Sequence, residues 1–524
     1  MKKKSKTTID ADRVRRLIDI GVALSAEKNI ARLLEKILTE ARSITNAEGG
    51  TLYVMSDDAA QLEFAFVQNA SPGLSLGDEG EKITWPPVAL TNTDGLPNHA
   101  NVSAYAALTS ETVNIPDVYH AEGFNFEGTK AFDRETGYRS NSMLVVPMRN
   151  HDNDIIGVLQ LLNAKDEKTG EGTSFSDQAQ RLAEALASQA AVALTNNLLI
   201  DDLEKLLDSF IQTIATAIDE KSPYTGGHVR RVADLTMRIA EKINAAKEGH
   251  FAQISFSEDE MEELRMAAWL HDVGKITTPE HVVDKSTKLE KVYDRIGDIK
   301  TRFEVLKREY QLAMNEARQN RAGFSPEEVA RELQALDEEY QFLVRINNGS
   351  EFTADVMIER IENIGQRKWG ANTQTMPLLT KDEIYNLSIR RGTLNAEERS
   401  IINNHAAITQ KMLAKLPFPR KLRNIARYAA AHHEKLDGSG YPQGLKGDAL
   451  PLQARIIALS DIFEALTAAD RPYKKDKTLT EALEILKQMV ADDHIDADLF
   501  DLFMKEKIYL EYAYRELALH QIDV

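Results

Sequence analysis

The sequence predicts a multidomain protein: an α+β module, a long helix, and then an almost wholly helical region. Three observations carry this. Strand-like runs TLYVM (51–55), LEFAFVQ (62–68), SMLVVPM (142–148) and DIIGVLQLLNA (154–164) lie between helical stretches in the first third of the chain. From 180 to 220 the chain reads as one long helix. Beyond 221 the apolar residues recur almost throughout at helical spacing. At 524 residues the chain is long enough for two to four domains, each with its own core.

Taken in order, residues 1–12 are expected to form a disordered tail. They are basic but lack the apolar core of a secretory signal. Leu17, Ile20, Leu24, Leu33, Leu34, Ile37 and Leu38 give 13–45 a helical periodicity. Helix, strands, long loop, strands and helix over 13–184 make an α+β pattern, with RNHDN as a hairpin-like turn between the last two strands. In the linker helix, 185–220, Leu199, Leu203, Leu206, Phe210, Thr213 and Ala217 alternate at spacings of four and three. That is the seam of a two-stranded coiled coil and predicts a parallel homodimer. The helical domain spans 221–524. Within it, 286–389 stands apart, because 290–320 and 326–346 are long charged amphipathic helices separated by AGFS. They predict an inserted helical hairpin serving contact or regulation.

Composition narrows the function. The chain is 43% hydrophobic and 28% charged, with no run long enough to span a membrane. A net charge of −18 argues against DNA or RNA as partner, since that affinity comes mostly from neutralising phosphates. A small phosphorylated ligand in a local cationic pocket stays compatible. The absence of cysteine excludes disulfides, thiolate metal sites and cysteine nucleophiles. A metal site must then use His, Asp and Glu, which favours iron, manganese or zinc. Without an export signal, a cytoplasmic location is expected.

Histidines number only twelve, so their grouping is informative. AAWLHDVGKI holds His271, Asp272, Gly274 and Lys275; HHEKLDGSGYP (432–442) holds His432 and His433 before a glycine-rich turn. His228, His405 and Asp461 stand among helical apolar residues. Adjacent helical residues point about 100° apart, which suits a dinuclear cluster better than a single ion. His271 would hold one metal while the Asp272 carboxylate bridges to a second. Lys275 falls one turn beyond His271, where its ammonium meets an incoming phosphate, and Gly274 leaves room for that approach. A lone histidine on an apolar helix face is more often structural, and His250, His281 and His520 belong to that class. The ordered series of ligands is what points to a metal centre.

Two resemblances sharpen this reading. TGYRSNSMLVVPM…IIGVLQLLNAKD…FSD (136–177) resembles the second half of a GAF domain, which implies a sensor for a small molecule. Asn163, Lys165, Phe175 and Asp177 are similar to a motif in GAF domains of cyclic-nucleotide phosphodiesterases, so a cyclic nucleotide is one implied ligand. Ala164 and Gln178 depart from that motif. The series His228, His271-Asp272, His405, His432-His433 and Asp461, with Gly440-Tyr441-Pro442, resembles the HD-GYP family of cyclic di-GMP phosphodiesterases over 221–285 and 390–515. The resemblance implies two divalent metals, iron or manganese, on those seven residues. It implies catalytic roles for Asp272 and Lys275, and substrate contacts from Lys275, Gly440, Tyr441, Pro442, Arg471 and Lys474. Tyr224 stands where some members carry a third-metal glutamate, though Glu434 or Glu464 could add an oxygen. Two metals would provide a nucleophile at neutral pH and charge relief on the phosphoryl oxygens. The product implied is pGpG, with onward hydrolysis to GMP open. A cyclic di-GMP receptor or signalling adaptor with little turnover, and an HD hydrolase of another nucleotide, remain as alternatives.

Overall fold

The computed structural model describes residues 15–70, 73–77, 83–221, 226–319, 326–370, 376–468 and 477–524. The expected tail, Tyr224, Arg471 and Lys474 lie outside them. The chain divides into two compact units, Met1–Leu206 and Leu207–Val524.

In the first unit the periodicity over 13–45 is carried by two helical stretches. The first covers 15–25, and α1 (Ile30–Thr45) starts at Asn29, whose side chain accepts from the Arg32 N–H. Strands β1 (Ala47–Met55), β2 (Gln61–Asn69), β3 (Leu74–Leu76), β4 (Val88–Ala89), β5 (Val113–Ile115), β6 (Met143–Arg149), β7 (Ile155–Lys165) and β8 (Gly172–Thr173) form one sheet. Its order is β3-β2-β1-β7-β6-β5, with β4 beside β2 and β8 beside β7. Both faces are covered. Leu52, Leu144, Val146, Leu159 and Leu161 pack with Leu33, Ile37 and Leu38 of α1. Their neighbours Tyr53, Val145 and Val158 enter a second core with Val102 and Ala104, which lie on α2 (Val102–Thr109). Alternate residues thus serve opposite cores, which explains why SMLVVPM is apolar throughout. A short helix, α3 (Glu127–Thr136), follows the second core's loop.

The helix α4 runs unbroken from Asp177 to Asp219. Its early residues Ala183, Leu186, Ala187, Ala190 and Leu194 belong to the first unit's core. Leu199, Leu203, Leu206 and Phe210 of the seam are exposed.

The second unit is helical apart from one short antiparallel pair, Lys368–Trp369 with Met376–Pro377. Helices α5 (His228–Ala245), α6 (Glu258–Leu270), α7 (Ile296–Gln319), α8 (Pro326–Asn347), α9 (Ala396–Asn403), α10 (His405–Leu413), α11 (Ile425–Ala430) and α12 (Leu452–Thr467) are joined by further short helices. Leu235, Ile239, Leu264, Ala267, Ile456 and Phe463 anchor its main core. Residues between Leu289 and Leu387 build a separate core, including Phe303, Leu336, Leu343 and Ile361. There α7 and α8 pack together, Phe303 against Tyr340 with ring centroids 5.7 Å apart. Both ends of this segment are tied at one place: the buried Lys288 Nζ donates to Thr353 Oγ1 and to the carbonyls of Leu387 and Ile389. Among the described residues no helix is long and apolar enough to cross a membrane.

Candidate metal centre

Helix ends aim the histidines. A helix leaves its last four carbonyls without intrahelical partners, and a nearby imidazole N–H can satisfy one. His271 lies just past α6, and its Nδ1 is 2.7 Å from the Ala268 carbonyl. His405 follows α9, with Nδ1 2.5 Å from the Ile402 carbonyl, and His432 follows α11, with Nδ1 2.5 Å from the Ala429 carbonyl. A carbonyl only accepts, so each Nδ1 carries the proton and each Nε2 is turned inward as the second nitrogen. These three Nε2 atoms, with Asp272 Oδ1, are buried without a hydrogen-bond partner. Buried polar atoms are rarely left in that state, and here four converge.

Asp272 sits among them with its two oxygens turned to different groups. Oδ2 is 3.3 Å from His271 Nε2 and 3.6 Å from His228 Nε2, while Oδ1 is 3.3 Å from His405 Nε2 and 3.9 Å from His432 Nε2. Two sets of donor atoms could each hold an ion: His228, His271 and Asp272, and His405, His432 and His433. Asp461 Oδ1 stands 3.3 Å from His228 Nε2 and 3.9 Å from His271 Nε2. The residues therefore fit a pair of divalent ions held by nitrogen and oxygen.

The electrostatics agree. Burial raises the cost of ionising Asp272, yet Lys275, His271 and His228 hold its carboxyl well below the usual range. Burial alone would lower His228, but Glu464, Asp272 and Asp461 outweigh it and raise the imidazole well above its ordinary value. His432 and His433 have no such excess of acid beside them. Burial keeps both neutral, His433 down to about 4, which leaves them ready as ligands.

Several sequence-based expectations change. Glu464 is no added ligand: its oxygens are 2.5 Å from His228 Nδ1 and 2.6 Å from Arg231 Nε, so it orients His228. Its position one turn after Asp461 on α12 was the available signal. Glu434 is buried and accepts from the N–H groups of Gln443, Gly444 and Leu445, clasping the turn that follows the histidine pair. Gly274 gives no room to substrate. A Cβ there would lie 2.0 Å from the His405 carbonyl oxygen, so the glycine serves close packing of the Val273–Thr277 turn on α10. Gly440 is likewise pressed on backbone, its Cβ position 2.5 Å from Glu434 Cα. Tyr441 packs on His433, ring centroids 4.8 Å apart, with a cis peptide bond to Pro442. Lys275 Nζ is 2.5 Å from Asp272 Oδ2. In the first unit, Asn163 and Lys165 are structural: Asn163 Nδ2 donates to the Tyr138 hydroxyl at 2.8 Å, and Lys165 pairs with Glu48 at 3.0 Å. Phe175 lies in the core.

Comparison with known families agrees with this division. A GAF domain model matches residues 29–194, and HD domain models match 225–339 and 378–499. The chain joins a GAF domain to an HD domain of the HD-GYP type. Parts of the chain also match curated relatives. The 3'3'-cGAMP-specific phosphodiesterase 3 of Vibrio cholerae is 27% identical over 321 residues, 60% of this chain and 43% of that protein. The 3'3'-cGAMP-specific phosphodiesterase 1 of the same organism is 38% identical over 128 residues, 24% of this chain and 28% of that protein. A cyclic di-GMP phosphodiesterase response regulator of Xanthomonas campestris is 42% identical over 98 residues, 19% of this chain and 25% of that protein. The chain spans less than half the length of each.

Proposed function

We propose that the HD domain hydrolyses a phosphodiester bond of a cyclic dinucleotide, converting cyclic di-GMP to linear pGpG. The observation that carries this reading is Asp272, whose two oxygens face two groups of buried nitrogen donors. His228, His271, Asp272 and Asp461 would hold one ion, and His405, His432, His433 and Asp272 the other. When bound, iron or manganese ions supply an activated water and neutralise charge on the phosphoryl oxygens. The protein's own groups do the rest. Glu464 and the three helix-end carbonyls fix the imidazoles, so no reorganisation is needed during reaction. Lys275 places a positive charge beside the carboxylate where negative charge develops. Tyr441 offers its ring at the edge of His433 for a base to stack on.

A second reading is favoured by the names of two relatives, which specify 3'3'-cGAMP. Protein loaded anaerobically with iron or manganese should therefore be given each dinucleotide, with chromatography of the products. Formation of pGpG that is lost in Asp272→Ala supports the reading. Tight binding of cyclic di-GMP without product would make the protein a receptor.

The GAF domain contains a cavity of 410 Å³ lined by Tyr53, Phe64, Gln68, Asn69, Trp85 and Gln160 among others. Among the described residues its lining includes no acidic or basic side chain. Such a wall suits a neutral planar ligand with a hydrogen-bonding edge over a nucleotide phosphate. The part of the intrinsic tryptophan fluorescence that Trp85→Phe removes would report binding, since Trp269 and Trp369 also emit, and a cyclic nucleotide that quenches it at micromolar concentration would refute this choice. The exposed seam Leu199, Leu203, Leu206 and Phe210 supports a parallel homodimer, checked by light scattering.

A further inference from the structure

Two charged side chains at the end of α4 reach the elements that carry the metal centre. Asp219, the last helical residue, is buried, and its Oδ2 accepts from the Val229 N–H at 3.1 Å. That N–H is an orphan donor at the start of α5, where the N-cap residue, Gly227, has no side chain to offer. Asp219 does from a neighbouring helix what a capping side chain does, with a charge that suits the helix dipole. The residue beside the one it secures is His228.

Lys221 works on the other side. Its Nζ donates to the carbonyls of Thr278 at 2.7 Å, Ile276 at 2.8 Å and Lys275 at 3.4 Å. An ammonium has three N–H groups, and here three carbonyls receive them. They belong to the Val273–Thr277 turn and its exit, directly after Asp272. By contrast, His271, His405 and His432 are aimed by carbonyls of their own local helices.

We propose that Asp219 and Lys221 are positioning residues for the centre, holding His228 and Lys275 in register with the remaining ligands. A displacement of the α4 end then moves one metal ligand and the lysine together, while the other histidines stay fixed. Because α4 begins among GAF core residues and runs unbroken to Asp219, it is the stretch of chain along which a signal from the first unit would reach these two contacts. The kinetic part of the inference rests on the proposed phosphodiesterase reading; the metal-binding part does not.

The test uses the full chain with Lys221→Met, Lys221→Arg, Asp219→Ala and Asp219→Asn. Mn²⁺ affinity by equilibrium dialysis, thermal midpoint and steady-state kinetics are compared. Lys221→Met should lower kcat roughly tenfold with KM little changed, and Lys221→Arg should restore it. Asp219→Ala should weaken Mn²⁺ binding at the donor set that includes His228 roughly tenfold, and Asp219→Asn, which keeps the acceptor, should recover it. Wild-type kcat in Lys221→Met with wild-type Mn²⁺ affinity in Asp219→Ala overturns the proposal. So does an equal loss in all four variants accompanied by a lower thermal midpoint. A wild-type protein that binds Mn²⁺ but cleaves neither dinucleotide removes the phosphodiesterase reading, and the Asp219 comparison then decides alone.

Discussion

Two of the clusters of polar side chains buried in the HD domain are built on opposite principles. At the neck of the 289–387 segment, Lys285 Nζ meets both oxygens of Glu398 at 2.8 and 2.7 Å, and Lys288 Nζ is held by three oxygens. Both ammonium groups there have hydrogen-bond acceptors, a carboxylate for Lys285 and neutral oxygens for Lys288. In the metal centre, three Nε2 atoms and a carboxylate oxygen converge without a hydrogen-bond partner. Buried polar groups that satisfy each other hold a structure together. Groups that point at one another and remain unsatisfied specify something absent from the chain.

This contrast can be broken by mutation. The largest effect is expected from Asp272→Ala, which removes the oxygens facing both donor groups: turnover should be abolished and bound metal reduced while helicity by circular dichroism persists. Wild-type turnover in that variant would falsify the assignment. Next comes Glu464→Gln, which keeps the shape but loses the charge behind His228. Metal affinity should fall by about 10–100-fold, measured by competition with a chelator. Lys285→Ala belongs to the other cluster and should leave metal affinity alone. It strands Glu398 and should cost about 3–5 kcal/mol in urea unfolding.

The smallest effect sharpens the comparison through pH. Burial pushes Lys288 from 10.5 down to about 8. Below pH 8 both folded and unfolded chains carry the proton, and between pH 8 and 10.5 only the unfolded chain does. Stability therefore rises with pH across that window, by about 1.4 kcal/mol per unit at most. Lys288→Met should lack this rise in thermal scans. An identical pH slope in the two proteins would show that the buried ammonium is compensated.

The histidines of the centre were legible because they are scarce and ordered, and the GAF strands because each carries apolar residues for two cores. What surrounds the ligands was not. The sequence singled out Glu464 and Glu434 only as possible oxygen donors, and it is the fold that brings one behind His228 and the other under the Gly440 turn. Gly274 was misread since a glycine beside a charged motif suggests ligand access, whereas the constraint is the His405 carbonyl, remote in sequence. Asp219 and Lys221 gave no signal because their partners are backbone atoms, which carry no mark in the sequence.

One feature of the histidines bears on how such a chain can change over time. His271, His405 and His432 each take their aim from the carbonyl three residues earlier. The direction of each imidazole is thus encoded within a four-residue stretch, independent of what lies between them. A change in the length of chain between His271 and His405 would therefore leave the aim of each imidazole unaltered.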